Sequence, residues 1–110
     1  VMQGITFEKA KAVIRSKSFK VLGEAIVELQ NYKHVIVLIE GHTSSEGSDE
    51  TNMTLSQQRA DSVKAYLVSK GVDASRLETK GFGKTKPIAS NENKKGREQN
   101  RRITFTPLRY

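Results

Sequence analysis

Asn52-Met53-Thr54-Leu55-Ser56-Gln57-Gln58-Arg59-Ala60 follows a polar loop that opens with Gly41-His42-Thr43-Ser44. From Asn52 to Lys70 the chain reads as an amphipathic helix, with Leu55, Val63 and Leu67 on one stripe. Arg59 falls on that stripe, four residues from both Leu55 and Val63. A guanidinium is always charged and is rarely buried without a partner. An anion is therefore expected to meet Arg59, supplied either by a protein carboxylate or by a ligand.

The flanking segments build the fold around this helix. Asn52 or Thr54 is expected as its N-cap, Thr54-x-x-Gln57 matches a capping box, and Gly71 suits the position after the last turn. Upstream, Val35 to Glu40 is a nearly unbroken β-branched run, suited to a central strand covered on both faces. Gly41 to Thr51 reads as loop. Ser16 to Gln30 reads as a helix with Phe19, Leu22, Ile26 and Leu29 on its apolar stripe and Ser16 or Ser18 as cap. Gly4 to Phe7 is a candidate first strand and Leu77 to Phe82 a third. Gly83 to Gly96 is expected to be mostly loop, with at most a short helical turn before Arg97. Ile103-Thr104-Phe105 alternates and ends at Pro107, as in an edge or terminal strand. The order β-α-β-α-β-loop-β predicts a two-layer α/β sandwich in one domain spanning 1–110. Two main helices would pack on a mixed sheet of about four strands.

Composition narrows the function classes. The chain has 110 residues, of which 35% are hydrophobic and 28% charged, enough for one modest core. Its longest apolar run, Val35 to Ile39, is five residues, against the roughly 20 that a membrane helix needs. No signal peptide is visible, and the abrupt start at Val1 reads as that of a domain excised from a larger protein. The net charge of +7 suits an anionic partner such as nucleic acid, lipid or cell-wall polymer. The bases are dispersed, however, and three Tyr and four Phe are too few for a single-strand stacking platform. A nucleic-acid partner is not expected. The absence of cysteine excludes disulfides and thiolate metal sites.

Four spaced motifs carry a family resemblance. They are Gly41-His42-Thr43-Ser44-Ser45-Glu46-Gly47, Asn52 to Ala60, Gly81-Phe82-Gly83 to Pro87, and Asn100-Arg101-Arg102-Ile103. In this order they resemble the OmpA-like peptidoglycan-binding domain, whose pattern runs G-H-T-D-x-x-G, N-x-x-L-S-x-x-R-A, G-x-G-x-x-x-P and N-R-R-V. Phe7-Glu8-x-x-Lys11-x-x-Ile14 also resembles that family's opening, so the match covers essentially the whole chain. The resemblance implies non-covalent binding of the diaminopimelate-containing stem peptide of peptidoglycan. It further implies a periplasmic domain that anchors the outer membrane to the wall, with neither catalysis nor cofactor. The arginine of the R-A pair, Arg59 here, would grip a diaminopimelate carboxylate.

One position departs from the pattern: Ser44 stands where the family has aspartate. Diaminopimelate carries an ammonium as well as a carboxylate, and serine supplies no opposite charge. Hydrogen bonds to charged groups contribute about 1–3 kcal/mol, which scales the expected loss of affinity. Glu46, Asp49 and Glu50 are the loop acids available to compensate. The expected ligand contacts are Arg59, Asn52, Ser44, Thr43 and Glu46, with Leu55 and Thr54 offering backbone N–H groups at the helix start. Arg101 joins them, because in an alternating strand only one of Arg101 and Arg102 faces the site. The alternative is a degenerate member that binds little or no peptidoglycan and acts as a protein-interaction or dimerisation module.

Other motifs carry less. Gly83-Lys84-Thr85 lacks the upstream glycine of a phosphate loop, since Glu78 stands there. His34 and His42 have no third ligand at metal spacing. Asn52-Met53-Thr54 matches a glycosylation sequon but is better read as a helix start. No paired-carboxylate or Ser-His-acid arrangement asks for catalysis.

Overall fold

A computed structural model describes Phe7 and residues 12–109. Its strands are β1 (Ile36–His42), β2 (Leu77–Gly83) and β3 (Arg102–Arg109). Its helices are α1 (Phe19–Asn31), α2 (Asp49–Ser69) and α3 (Lys94–Asn100). Among the described residues the sheet is three-stranded in the order β2-β1-β3, with β1 in the centre. β1 runs parallel to β2, with Gly41 opposite Gly81, and antiparallel to β3, with Gly41 opposite Ile103. The sheet is therefore mixed and the two-layer α/β expectation holds. Of the fourth expected strand only Phe7 is described, in an isolated antiparallel bridge to Ile14; Gly4 to Thr6 lie outside the described residues.

The core lies between the sheet and the helices. Val37 and Ile39 of β1, Leu77 of β2 and Ile103 of β3 meet Leu22 and Leu29 of α1 and Ala60, Val63 and Leu67 of α2. Phe19, expected on the α1 stripe, is instead 39% exposed and stacks on Tyr66 at 4.8 Å. It occupies the first turn of α1, where it lies over the neighbouring helix rather than over the sheet. On the other face, β1 presents Leu38, Glu40 and His42. Glu40 and His42 are buried there by strand-borne side chains: His42 stacks on Phe82 at 5.3 Å, and Thr106 Oγ1 donates to Glu40 Oε2 at 2.8 Å.

Helix α2 begins one turn earlier than expected. Ser48 is its N-cap, accepting from Thr51 N at 3.1 Å, and Asp49 and Glu50 place negative charge at the positive end of the helix dipole. Neither Asn52 nor Thr54 is the cap, and the Thr54–Gln57 capping box does not form. Gln57 bonds the sheet instead, its Oε1 accepting from Gly81 N at 2.8 Å and its Nε2 donating to Thr79 Oγ1 at 3.1 Å. The helix end is as expected, with Gly71 at φ +99° directly after Lys70.

Two glycines set how close α2 comes. A Cβ on Gly41 would overlap the carbonyl oxygen of Ser56, and one on Gly81 would overlap the backbone N of Gln57. Only glycine permits this approach, which brings the first half of α2 directly onto the ends of β1 and β2. Ser56 Oγ then accepts from Gly83 N at 2.9 Å.

The segment expected as loop from Gly83 to Gly96 ends in α3. Asn93 caps that helix, its Oδ1 accepting from Gly96 N at 2.7 Å. The Asn-x-x-Gly spacing carries this cap, but one short helix among turn-forming residues has almost no apolar periodicity to reveal it.

Candidate functional site

The site forms where β1 runs out into the loop beside the first half of α2. Thr43 and Ser44 are buried there. Thr43 N donates to Gly83 O at 2.9 Å, and Thr43 Oγ1 donates to Ser44 O at 2.9 Å. Asn52, freed from capping, reaches back from α2: its Nδ2 donates to Glu46 O at 2.9 Å and to Ser44 O at 3.4 Å. A buried amide thus ties the loop to α2 through the carbonyls of Ser44 and Glu46.

Arg59 lies two turns further along the same face and is 9% exposed. Its guanidinium carbon sits 4.9 Å from the centre of the Phe7 ring, a cation–π contact. Burial lowers its pKa, and the charge of Arg101 lowers it further. A guanidinium starts so high that it remains a cation at neutral pH.

Arg101 and Arg102 part company at the start of β3. Arg101 Nη2 donates to Glu46 Oε1 at 2.8 Å, on the loop side. Arg97 Nε lies 3.0 Å from the same oxygen, an ion pair whose angle is too poor for a hydrogen bond. Arg102 turns to the opposite face, where its Nη2 donates to Lys86 O at 2.9 Å and its backbone pairs with His42. Burial lowers the Arg102 pKa against the opposing effect of Glu40.

The remaining loop acids do not enter. Asp49 pairs with Lys84 at 2.8 Å on the surface, and Glu50 is exposed. The expected N–H groups of Thr54 and Leu55 are also out of reach. With the cap at Ser48 they lie in the second turn of α2, where N–H groups bond within the helix. Leu55 itself is half-buried.

Three residues outside the expected set shape the site. Asn100 is fully buried and pins the preceding loop: its Oδ1 accepts from Ile88 N at 2.8 Å and Ala89 N at 3.0 Å, and its Nδ2 donates to Ala89 O and Asn91 Oδ1, both at 2.9 Å. Asn91 Oδ1 in turn accepts from Ser45 N at 3.2 Å, joining the two loops. Arg97 donates to Asn91 O at 3.1 Å. Asn100 was visible within the N-R-R motif, but its side-chain partners lie about ten residues upstream and only folding brings them together.

Among the described residues the site gathers the buried Arg59, the Glu46 carboxylate with Arg101 and Arg97 on it, and a wall of fixed backbone groups. Such a set recognises carboxylates. Among the described residues no group of three or more His, Asp or Glu could hold a metal ion. No helix there is long and apolar enough to cross a membrane.

Comparisons with known proteins bear on the family and the fold. The family model described as the OmpA family matches residues 6–101. The chain is 43% identical over 106 residues to the probable lipoprotein YiaD of Escherichia coli, covering 94% of this chain and 48% of that protein. It is 40% identical over 89 residues to the peptidoglycan-associated lipoprotein of Buchnera aphidicola, covering 81% and 51%. The chain thus spans about half the length of these two relatives. Among solved structures, the peptidoglycan-associated lipoprotein from Burkholderia pseudomallei superposes with a TM-score of 0.86 at 27% identity, covering 94% of this chain and 88% of that one. The cell wall anchor of the T6SS from Pseudomonas aeruginosa superposes with a TM-score of 0.83 at 30% identity, covering 94% and 75%.

Proposed function

The chain belongs to the OmpA family, and from that premise we propose that it is a non-enzymatic domain that binds the stem peptide of peptidoglycan. It works in the periplasm as the wall anchor of a larger protein tethered to the outer membrane. The carrying observation is the buried Arg59 cation on the face of α2 whose Asn52 holds the Ser44–Glu46 loop, with Arg101 donating to Glu46 of that loop. Arg59 neutralises a carboxylate of diaminopimelate. Thr43, Ser44 and Glu46 line the loop side, and Leu55 offers apolar contact rather than a helix-end N–H. The relatives named for peptidoglycan association and wall anchoring support this reading.

Ser44 sets the strength of binding rather than its location. Titration calorimetry with a diaminopimelate-containing muropeptide tests both residues. Arg59→Ala is expected to weaken binding by about 2–5 kcal/mol, the range for truncating one member of a buried charge pair. Ser44→Asp is expected to strengthen it by about 1–3 kcal/mol through a charge-assisted contact to the ligand ammonium. A wild-type protein that does not bind, together with a Ser44→Asp variant that does, would instead identify a degenerate site.

A further inference from the structure

The peptide group between Ser44 and Ser45 is held at both ends. Its carbonyl, on Ser44, accepts from Thr43 Oγ1 at 2.9 Å and from Asn52 Nδ2 at 3.4 Å. Its N–H, on Ser45, donates to Asn91 Oδ1 at 3.2 Å. In a trans peptide these two groups point in opposite directions from one rigid plane. A plane gripped at both poles cannot rotate without breaking bonds on both sides. Its orientation sets ψ of Ser44 and φ of Ser45, and with them the direction in which the Ser44 side chain leaves the loop.

The same Asn91 oxygen ties this loop to the start of β3. It also accepts from Asn100 Nδ2 at 2.9 Å, and Asn100 directly precedes Arg101. Asn100 is fully buried, and its Oδ1 takes the backbone N–H groups of Ile88 and Ala89, which fixes the way its amide points. Arg97 adds a parallel link, with Nη1 donating to Asn91 O at 3.1 Å and Nε lying 3.0 Å from Glu46 Oε1. Gly96 lets α3 close on this loop, since a Cβ there would overlap the Ser90 carbonyl.

We propose that Asn91 is a positioning residue for the ligand site. It acts through Ser45 and Asn100 rather than on the ligand. Through the Ser45 N–H it sets the plane that presents Ser44; through Asn100 it fixes that plane relative to Arg101. The assignment rests on the stem-peptide reading of the Ser44–Glu46 loop. It gives a role in binding to a residue 46 positions away from Ser45 in the chain.

Titration calorimetry with a diaminopimelate-containing muropeptide compares wild type, Asn91→Ala, Asn91→Asp and Glu92→Gln. Asn91→Ala removes the acceptor and is expected to bind about two- to tenfold more weakly, the fold-change equivalent to one net hydrogen bond. Asn91→Asp keeps an acceptor oxygen in place and is expected to stay within about twofold of wild type in roughly 0.15 M salt, which screens its added charge. Glu92→Gln alters the exposed neighbour and is expected to bind like wild type. Unchanged affinity in Asn91→Ala overturns the proposal. So does a loss that Asn91→Asp fails to rescue, or an equal loss in Glu92→Gln. Amide hydrogen exchange at Ser45, followed by NMR, is a second readout that needs no ligand. It is expected to quicken in Asn91→Ala and to return toward wild type in Asn91→Asp. If wild type binds no muropeptide, the stem-peptide reading falls and this exchange alone decides whether Asn91 holds the loop. Unchanged exchange in Asn91→Ala then overturns the positioning role as well.

Discussion

The two halves of α2 bury the same face of one helix with opposite chemistry. The second half buries Ala60, Val63 and Leu67; the first buries Asn52, Ser56 and Arg59. In the second half each large apolar side chain removed from water contributes about 1.5–3 kcal/mol. In the first half the buried groups spend their hydrogen bonds on backbone elsewhere: Asn52 on the carbonyls of Ser44 and Glu46, and Ser56 on the N–H of Gly83. Net contributions of such bonds are small, but leaving either partner unsatisfied is costly. One half therefore secures the fold and the other positions a charged site on it, within a single rigid element.

If that division is real, the halves respond differently to truncation. Leu67→Ala should lower unfolding stability by about 2–5 kcal/mol in urea titrations, by lost transfer energy plus a cavity, with ligand affinity intact wherever the protein stays folded. Loss of affinity in the folded variant would show that the halves are not separable. Ser56→Ala should cost less, about 1–3 kcal/mol, because it strands the buried Gly83 N–H. It should also shift the amide signals of Gly83 and Thr43, which meet through a backbone bond.

The smallest expected effect concerns pH. His42 and Glu40 lie next to the polar half, on the far face of β1. Burial and the nearby charge of Arg102 hold the His42 pKa below its usual 6.5, outweighing the hydrogen bond to Glu40. The Lys86 charge acts the same way. A folded-state value below the unfolded one means that the unfolded chain takes up the proton first. This contribution to stability is complete above pH 6.5 and is lost as pH falls from there through the folded value. Burial raises the Glu40 pKa, but hydrogen bonds from Thr106 and His42 and the charges of His42 and Lys86 outweigh it, leaving the carboxyl below 4.5. Its contribution is lost only on further acidification. Urea midpoints measured against pH should therefore fall in two stages, and His42→Asn should remove the first.

Much of the architecture was legible because it rests on apolar pattern. Ile36 to Ile39 of the apolar run lie in the central strand, and the stripe through Val63 and Leu67 faces the core. Boundaries that depend on polar side chains were less legible. Asn52 was read as a cap because asparagine favours caps, yet Ser48 occupies that position and Asn52 holds the loop. Gln57 fits a capping box by spacing but bonds the β2 backbone. A local motif shows which bonds a residue is able to make; it does not show which distant partner competes for them.

By itself the sequence determined the layer order, the family pattern and one exceptional position, a charged Arg59 on a buried stripe. Periodicity and motif spacing are local properties, and local pattern suffices to state them. Only the tertiary structure decided that Arg101 turns toward Glu46 while Arg102 turns toward Lys86, and that Asn100 braces the loop before α3. It also decided that Arg97 reaches the same oxygen as Arg101. These outcomes depend on strand register and on the approach that Gly41 and Gly81 permit. Those quantities arise when distant segments pack against one another, and no single segment carries them.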